Sequence, residues 1–438
     1  MGKPDAEPPR PRGKRLGKGA LLRSYIAATA LIAPFAPRLL KARADKGRED
    51  PARIEEKLGR PSGWRPANTR LVWMHAVGLG EVMALRGLIS EMRALTPDLQ
   101  VLVTSSARSS AQVFAQNCPP QTQHQFLPLD ATRFIGPFLD YWKPDLSIWA
   151  EQDIWPNLIV QTHDRGIPLA LVNARIGAAS FAKRRKVASL YRDLFKRFSL
   201  ISAQDPDSAA HIEQLGAPKP VQVHPSLKLI APALSADPAA LRALRGAVGD
   251  RRVWMVGPSH GAGEALALEA HRKILADDPS ALLILVPRAL ERRDEIAAAA
   301  RNAGLRTALR STNTLPDASD QVFIADTFGE MGLWYRLAST ALIGGSFNDV
   351  EGHNPWEAAR LGAAILHGPR IENFRADYAR LHGFRAATQV TNADEIVGAL
   401  RSDLGPQVAR AAACCAENGA ALGDLARQLT DLLPGSGA

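Results

Sequence analysis

Acids, backbone amides and one arginine recur in this 438-residue chain where a strand pattern gives way to a helix pattern. In Val77-Gly78-Leu79-Gly80-Glu81-Val82 two glycines allow a tight turn and Glu81 opens a helix. The positive end of a helix keeps such a carboxylate ionised. An ionised carboxylate at the carboxyl end of a strand suits a general base acting on an acceptor hydroxyl. The same residue also reads as an ordinary first-turn Glu without chemistry, and spacing does not separate the two.

A second cluster is Trp149-Ala-Glu151-Gln-Asp153-Ile-Trp155-Pro156-Asn157. Aromatic rings stack on the C–H faces of a sugar, and carboxylates accept from its hydroxyls. Glu151 and Asp153 are therefore candidates for acceptor binding. The alternative makes Asp153 part of the entry to a helix that Pro156 begins, with the tryptophans as core.

Three further clusters lie later in the chain. Pro287-Arg288 sets a guanidinium just past a strand, where it suits a phosphate or carboxylate. Gly329-Glu330 stands at a helix start. The third runs from Gly344-Gly345-Ser346 to Gly352-His353-Asn354-Pro355-Trp356-Glu357. There Asn354 reads as an N-cap, Pro355 as the first helical residue and Glu357 as the reciprocal acid of a capping box. That geometry also turns backbone N–H groups outward as an anion site. Glu357 is also placed to accept from a ribose.

Other patterns are weaker. Asp205-Pro-Asp207 looks like an Asp-x-Asp metal motif, but Ser-Ala-Ala follows, so a helix cap is the better reading. The ten histidines include no helical pair at ligand spacing, and no metal is expected. Lys183-Arg-Arg-Lys186 reads as a solvated face, with acceptor phosphates as the alternative.

These clusters need elements to hold them. Apolar runs at 71–77, 100–105, 145–150 and 168–173 predict strands. Helices follow them over 81–95, 109–117 and after Pro156. The pattern restarts with strands at 253–257, 281–286, 322–326 and 340–345, and a helix over 262–275. Continuous apolar strands alternating with helices predict parallel sheets covered on both faces. The expected segments are a basic arm at 1–60, an α/β domain at 61–230, a linker at 231–250 and a second α/β domain at 251–438. Two such halves would face a ligand cleft from the carboxyl ends of their strands.

The charge is uneven. Residues 1–60 hold 15 Lys/Arg against 7 Asp/Glu, so they carry +8 of the chain's +10. A nucleic-acid enzyme would carry the excess on its folded body, so no nucleic-acid partner is expected. Residues 1–19 have a disordered composition. Residues 21–40 are apolar but broken by Arg23, Pro34 and Pro37, short of the ~20 apolar residues of a clean spanning helix. An interfacial anchor is expected, with Lys14, Arg15, Lys18, Arg38, Lys41 and Arg43 against anionic lipid. A helix packed on the protein's own surface is the alternative. Cys118, Cys414 and Cys415 form no disulfide framework, which fits a reducing compartment.

In this order the motifs resemble the Kdo (3-deoxy-D-manno-octulosonic acid) transferases of lipopolysaccharide assembly. The carriers are Glu55-Glu56-Lys57-Leu58-Gly59, Trp73 to Glu81, Glu151 to Asn157, Val172-Asn-Ala-Arg-Ile176, Pro287-Arg288, Asp326 to Glu330, Gly344 to Glu357 and His367-Gly-Pro…Glu-Asn-Phe374. The resemblance implies a GT-B fold and transfer of Kdo from CMP-Kdo to a lipid A precursor, with inversion and no cofactor. It implies Glu81 as catalytic base. It also implies a donor side of Ser259, Arg288, Gly329, Glu330, Gly345, Ser346, Asn354 and Glu357. The expected location is the cytoplasmic face of the inner membrane. The family commonly has Ser at Gly78, His at Ala289, Gly-Asn at Pro225-Ser226 and Gly at Glu351. These departures leave two alternatives: another nucleotide sugar, or a paralogue that binds without catalysis.

Overall fold

The computed structural model describes residues 16–435 apart from Asn68, Asn117, Gln152, Lys219, Ala231, Pro232, Asn313 and Thr314. Residues 1–15 of the tail expected at 1–19, with Lys14 and Arg15, the end of the helix expected to Asn117, and the first linker residues therefore lie outside the described residues. The chain divides into two compact units, Met1–Ala231 with Gly419–Ala438, and Pro232–Asn418. The last residues thus group with the first unit rather than with the segment expected at 251–438. Leu422, Leu425, Ala426, Leu429 and Leu433 pack into its core beside Val72 and Leu85.

The first unit holds a seven-stranded sheet. Its strands are β1 (Leu71–His75), β2 (Gln100–Ser105), β3 (Thr122–Phe126), β4 (Leu146–Ala150), β5 (Leu169–Ala174), β6 (Leu200–Ala203) and β7 (Gln222–Val223). The spatial order is β3-β2-β1-β4-β5-β6-β7, with every pairing parallel. The order reverses at β1, so the gap between β1 and β4 is the switch point where doubly wound sheets bind ligands. Alternate residues of β1 face opposite layers. Leu71 and Trp73 join one core cluster, and Val72 and Met74 the other.

The second unit repeats this architecture with β8 (Val253–Ser259), β9 (Leu282–Pro287), β10 (Thr307–Leu309), β11 (Val322–Ile324), β12 (Thr340–Ile343), β13 (Ala364–His367) and β14 (Thr388–Gln389). Their order is β10-β11-β9-β8-β12-β13-β14, again all parallel. Its switch point lies between β8 and β12. Both units are Rossmann-like, as the alternation of apolar runs and helices predicts.

Two local expectations change. The linker contains a helix, Pro238–Val248, capped by Asp237, whose Oδ1 accepts from Ala239 N at 2.9 Å. Its Ala, Leu and Arg content outweighs the flanking prolines. Prolines 34 and 37 do not break the N-terminal apolar segment either. They sit at the starts of a 3₁₀ turn and of the next helix, so Ala20–Asp45 runs on helically.

Candidate active site

In the first unit the strand ends bring two acidic loops to the switch point. Gly78 is the N-cap of the helix Leu79–Leu95, and Glu81 is its third residue. Glu81 Oε2 accepts from the N–H of Val77 at 3.0 Å and of Gly78 at 3.2 Å. This is the reciprocal half of a capping box, since Gly78 has no side chain to supply the other half. No hydrogen-bond partner of Oε1 is found among the described residues.

Glu151 follows β4, the neighbour of β1. It is buried, with a backbone φ of 63°, in the left-handed region. Its N–H donates to Val172 O at 3.0 Å. Asn173, also left-handed at φ 54°, approaches Glu151 Oε1 through Nδ2 at 3.4 Å and accepts from Leu227 N at 3.0 Å. Two left-handed non-glycine residues side by side indicate a backbone held against its preference, a feature that clusters at functional sites.

Asp153 does not cap the helix that Pro156 begins. Asp130 does, accepting from Asn157 N at 3.0 Å and Leu158 N at 2.8 Å. Asp153 is left exposed, and its carboxyl is held above the usual range by partial burial and by the charge of Glu81, while Arg184 pulls it back. Glu81 and Asp153 therefore sense each other. The tryptophans divide. Trp149 is fully buried against Trp73 (5.4 Å between centroids) and His75 (5.0 Å), so it is core and no platform for a sugar. Trp155 is partly exposed.

In the second unit the clusters again follow strand ends, at β8, β9, β11 and β12. Ser259 is buried, and its Oγ donates to Glu264 Oε1 at 2.7 Å. Arg292 clamps both oxygens of Glu264, at 3.1 and 2.9 Å, a charge-assisted pair. Arg288 is exposed, and its N–H donates to Ser259 O at 3.2 Å, tying β9 to the end of β8. Its guanidinium acts on His260, His353 and Glu357.

Ser346 is buried, and its hydroxyl is taken. It donates to Ile343 O at 2.7 Å and accepts from Gly368 N at 2.8 Å, so it builds the loop. Gly345 has φ 70° and Gly329 φ 86°. A Cβ at Gly344 would overlap the carbonyl oxygen of Pro258, so β8 and β12 close together only over a glycine. Glu330 gives both oxygens to Arg310, at 3.0 and 2.9 Å, and accepts from Thr327 Oγ1. Arg310 is the largest cause of its lowered pKa.

The capping box expected at Asn354 is absent. The helix is Trp356–Arg360, and Asn354 Oδ1 accepts from Trp356 N at 3.0 Å. Pro355 thus lies just before the helix. Glu357 instead meets the Asn354 side chain, and burial raises its carboxyl pKa while Arg360, Asn354 and Arg288 pull it down. Asp205 does cap its helix, through Ser208 N, as the sequence suggests. Among the described residues no three His, Cys, Asp or Glu gather as a metal set.

Sequence reasoning passed over several members. His260 and His353 stack at 5.1 Å with Nε2 atoms 2.8 Å apart. Arg292 and Arg310 came without a motif, and Asn173 came inside Val172-Asn-Ala-Arg-Ile176 without a role, because each acts through a partner distant in sequence. A depression lined by Arg252, Ser339 and Thr340 lies at the amino ends of β8 and β12, the edge away from these loops.

The family model for 3-deoxy-D-manno-octulosonic-acid transferase (kdotransferase) matches residues 52–231. A probable mitochondrial 3-deoxy-D-manno-octulosonic acid transferase of Arabidopsis thaliana is 34% identical over 361 residues, 80% of each chain. The 3-deoxy-D-manno-octulosonic acid transferase of Rickettsia bellii is 30% identical, over 89% of this chain and 92% of its own. Among solved structures, a glycosyltransferase from Rickettsia africae aligns with a TM-score of 0.53 at 10% identity. It covers 84% of this chain and 100% of that one, a likeness of fold alone. With the two parallel sheets, it makes the architecture an α/β GT-B fold.

Proposed function

The chain belongs to the 3-deoxy-D-manno-octulosonic acid transferase family, and from that membership we propose an inverting transfer of Kdo from CMP-Kdo to a lipid A precursor, with Glu81 as base. It is a glycosyltransferase of lipopolysaccharide synthesis. The observation that carries the mechanism is the state of the Glu81 carboxylate. Its Oε2 is fixed by two amides, and Oε1, without a hydrogen-bond partner among the described residues, is the proposed proton acceptor.

In the proposed step Glu81 takes the proton of an acceptor hydroxyl as that oxygen attacks the anomeric carbon of Kdo. The bond from that carbon to the CMP phosphate oxygen breaks, and CMP leaves with the electron pair. Attack from the opposite face inverts the anomeric centre. Charge builds on the departing phosphate, and fixed donors stabilise such charge most. Arg288 and the backbone around Gly329 and Gly345 are the proposed donors, with Asn354 and Glu357 toward the nucleoside. Ser259, Ser346 and Glu330 would shape that pocket through Glu264, Gly368 and Arg310. Glu151 and Asp153 would hold acceptor hydroxyls beside Glu81.

The N-terminal helical segment supports a place at a membrane. Leu22, Ala33, Ala36 and Leu40 are buried against the first unit, while Leu21, Leu31, Ile32, Phe35 and Leu39 are exposed. Exposed Arg38, Lys41 and Arg43 follow. An apolar stripe with a basic rim suits the surface of an anionic bilayer, and the cytoplasmic face of the inner membrane is the proposed location.

Purified protein, CMP-Kdo and a lipid A precursor test this reading. Release of CMP and a Kdo mass increment on the lipid are expected. Turnover with a uridine sugar but not with CMP-Kdo would overturn the donor. Full activity of Glu81→Ala would overturn the mechanism.

A further inference from the structure

From Arg165 to Arg192 the chain runs 28 residues with seven Lys/Arg and no Asp/Glu. The helix Ala178–Arg185 and its approach make up the middle of this run. Arg175 follows directly on the end of β5, and Lys183, Arg185 and Lys186 stand at the far end of the helix. All four are exposed, and none has an acidic partner among the described residues. Arg165, by contrast, is paired with Asp140 at 3.0 Å.

Helix-dipole compensation explains part of this. Cations in a last turn are favourable by ~0.3–1 kcal/mol. That covers Lys183 and Arg185, but not Arg175, which precedes the helix, nor the absence of any acid over the run. Nor is the helix a loose solvated face. Phe181 stacks on His211 at 4.5 Å with the rings 16° apart, and Arg184 Nε donates to Tyr191 Oη at 3.0 Å.

The position gives the charge a use. β5 pairs with β4, and β4 with β1, so this helix leaves the same edge of the sheet as Glu81 and Asp153. The charge of Arg184 reaches Asp153, as does that of Glu81. A cationic helix thus borders the carboxylates assigned above to the acceptor.

We infer that Arg175, Lys183, Arg185 and Lys186 form a phosphate subsite that binds a phosphate group of the acceptor beside Glu81. This rests on the first unit being the acceptor side. The same chemistry exists in phospholipid headgroups, and the test separates the two sources.

The full-length enzyme is compared with the triple variant K183A/R185A/K186A and with R175A. Each is given the phosphorylated acceptor or its dephosphorylated form. The side chains are exposed, so unchanged melting is expected to show intact folding. The triple variant should raise KM for the phosphorylated acceptor about tenfold or more, with kcat and the KM for CMP-Kdo unchanged. Wild type should show the same loss on the dephosphorylated acceptor, and the variant should no longer distinguish the two. Acceptor binding measured without donor reads the same preference even if CMP-Kdo is not turned over, so failure of the assigned reaction stays distinguishable. A variant that keeps the wild-type preference for phosphate overturns the inference. So does one whose only loss is binding to phosphatidylglycerol vesicles, because the cations then read the membrane.

Discussion

The N–H of Gly78 donates to Oε2 of Glu81 at 3.2 Å, so the proposed base is also the cap of its own helix. Val77 adds a second donor at 3.0 Å. One carboxylate oxygen thus anchors the side chain, and the other has no hydrogen-bond partner among the described residues. Glu81→Gln keeps an acceptor for these amides and loses the base. Its kcat should fall by about a hundredfold or more, while its urea midpoint stays near wild type. Glu81→Ala should lose the cap as well, at a cost of about 1 kcal/mol. A variant Glu81→Gln with wild-type kcat would remove Glu81 from the reaction.

Partial burial, and next the repulsion of Glu81, hold the Asp153 pKa above its ordinary value against the pull of Arg184. The folded state then binds the proton more tightly than the unfolded state. Stability falls as pH rises from the ordinary Asp range through the raised folded value. Asp153→Asn should therefore raise the melting temperature at neutral pH, and the gain should fade in acid below the ordinary Asp range. A variant destabilised equally at both pH values would show that the repulsion is not felt.

His353 lies at the opposite extreme, with its pKa lowered to about 4 by burial, by His260 and by Arg288. His75 is lowered to about 3 by burial. Such groups are neutral when folded and take up a proton more readily when unfolded. The stability they support is present above about 6.5 and is lost as pH falls from there toward 4. Melting followed from pH 7 to pH 4 should show this loss. His353→Asn should make the slope shallower, and an unchanged slope would sink the assignment.

Glu351 occupies φ 60°, a region glycine enters without cost, and it is the position where the resembling family has Gly. Glu351→Gly should stabilise the protein by about 1 kcal/mol through relief of that strain. Chemical denaturation measures it. A loss of stability would mean that the Glu351 side chain makes contacts that outweigh its backbone.

Gly344 tests the closeness of β8 and β12. A side chain there meets the Pro258 carbonyl, a backbone atom that yields only with its strand. Gly344→Ala should destabilise by at least about 3 kcal/mol, read as a lowered melting temperature or insoluble expression. Gly304 has open space around it but φ 79°, so Gly304→Ala should cost only the backbone strain, about 1–2 kcal/mol.

Much of this was legible along the chain. The apolar runs of β1, β2, β4, β5, β8, β9, β11 and β12 showed, because strands buried on both faces need no polar alternation. β3 was not, since Thr122-Gln-His-Gln carries polar side chains whose partners are remote, such as Arg53 on His124. β7, β10 and β14 are too short for a period to show. Glu81 stood out because its helix, cap and strand are all local.

Sequence by itself determined the two α/β units, the order of their loops and the residue types offered at each strand end, because strand and helix periods are local properties. Only the tertiary structure decided what each offered group is free to do. It gave the cap of the Pro156 helix to Asp130 and left Asp153 to Glu81. It closed Ser346 onto Gly368, locked Glu330 to Arg310 and sank Trp149 into the core. It also set Arg175, Lys183, Arg185 and Lys186, which have no acidic partner among the described residues, at the edge that carries Glu81. Each outcome depends on a partner distant in sequence, and hydrogen bonds and charges act through space, not along the chain.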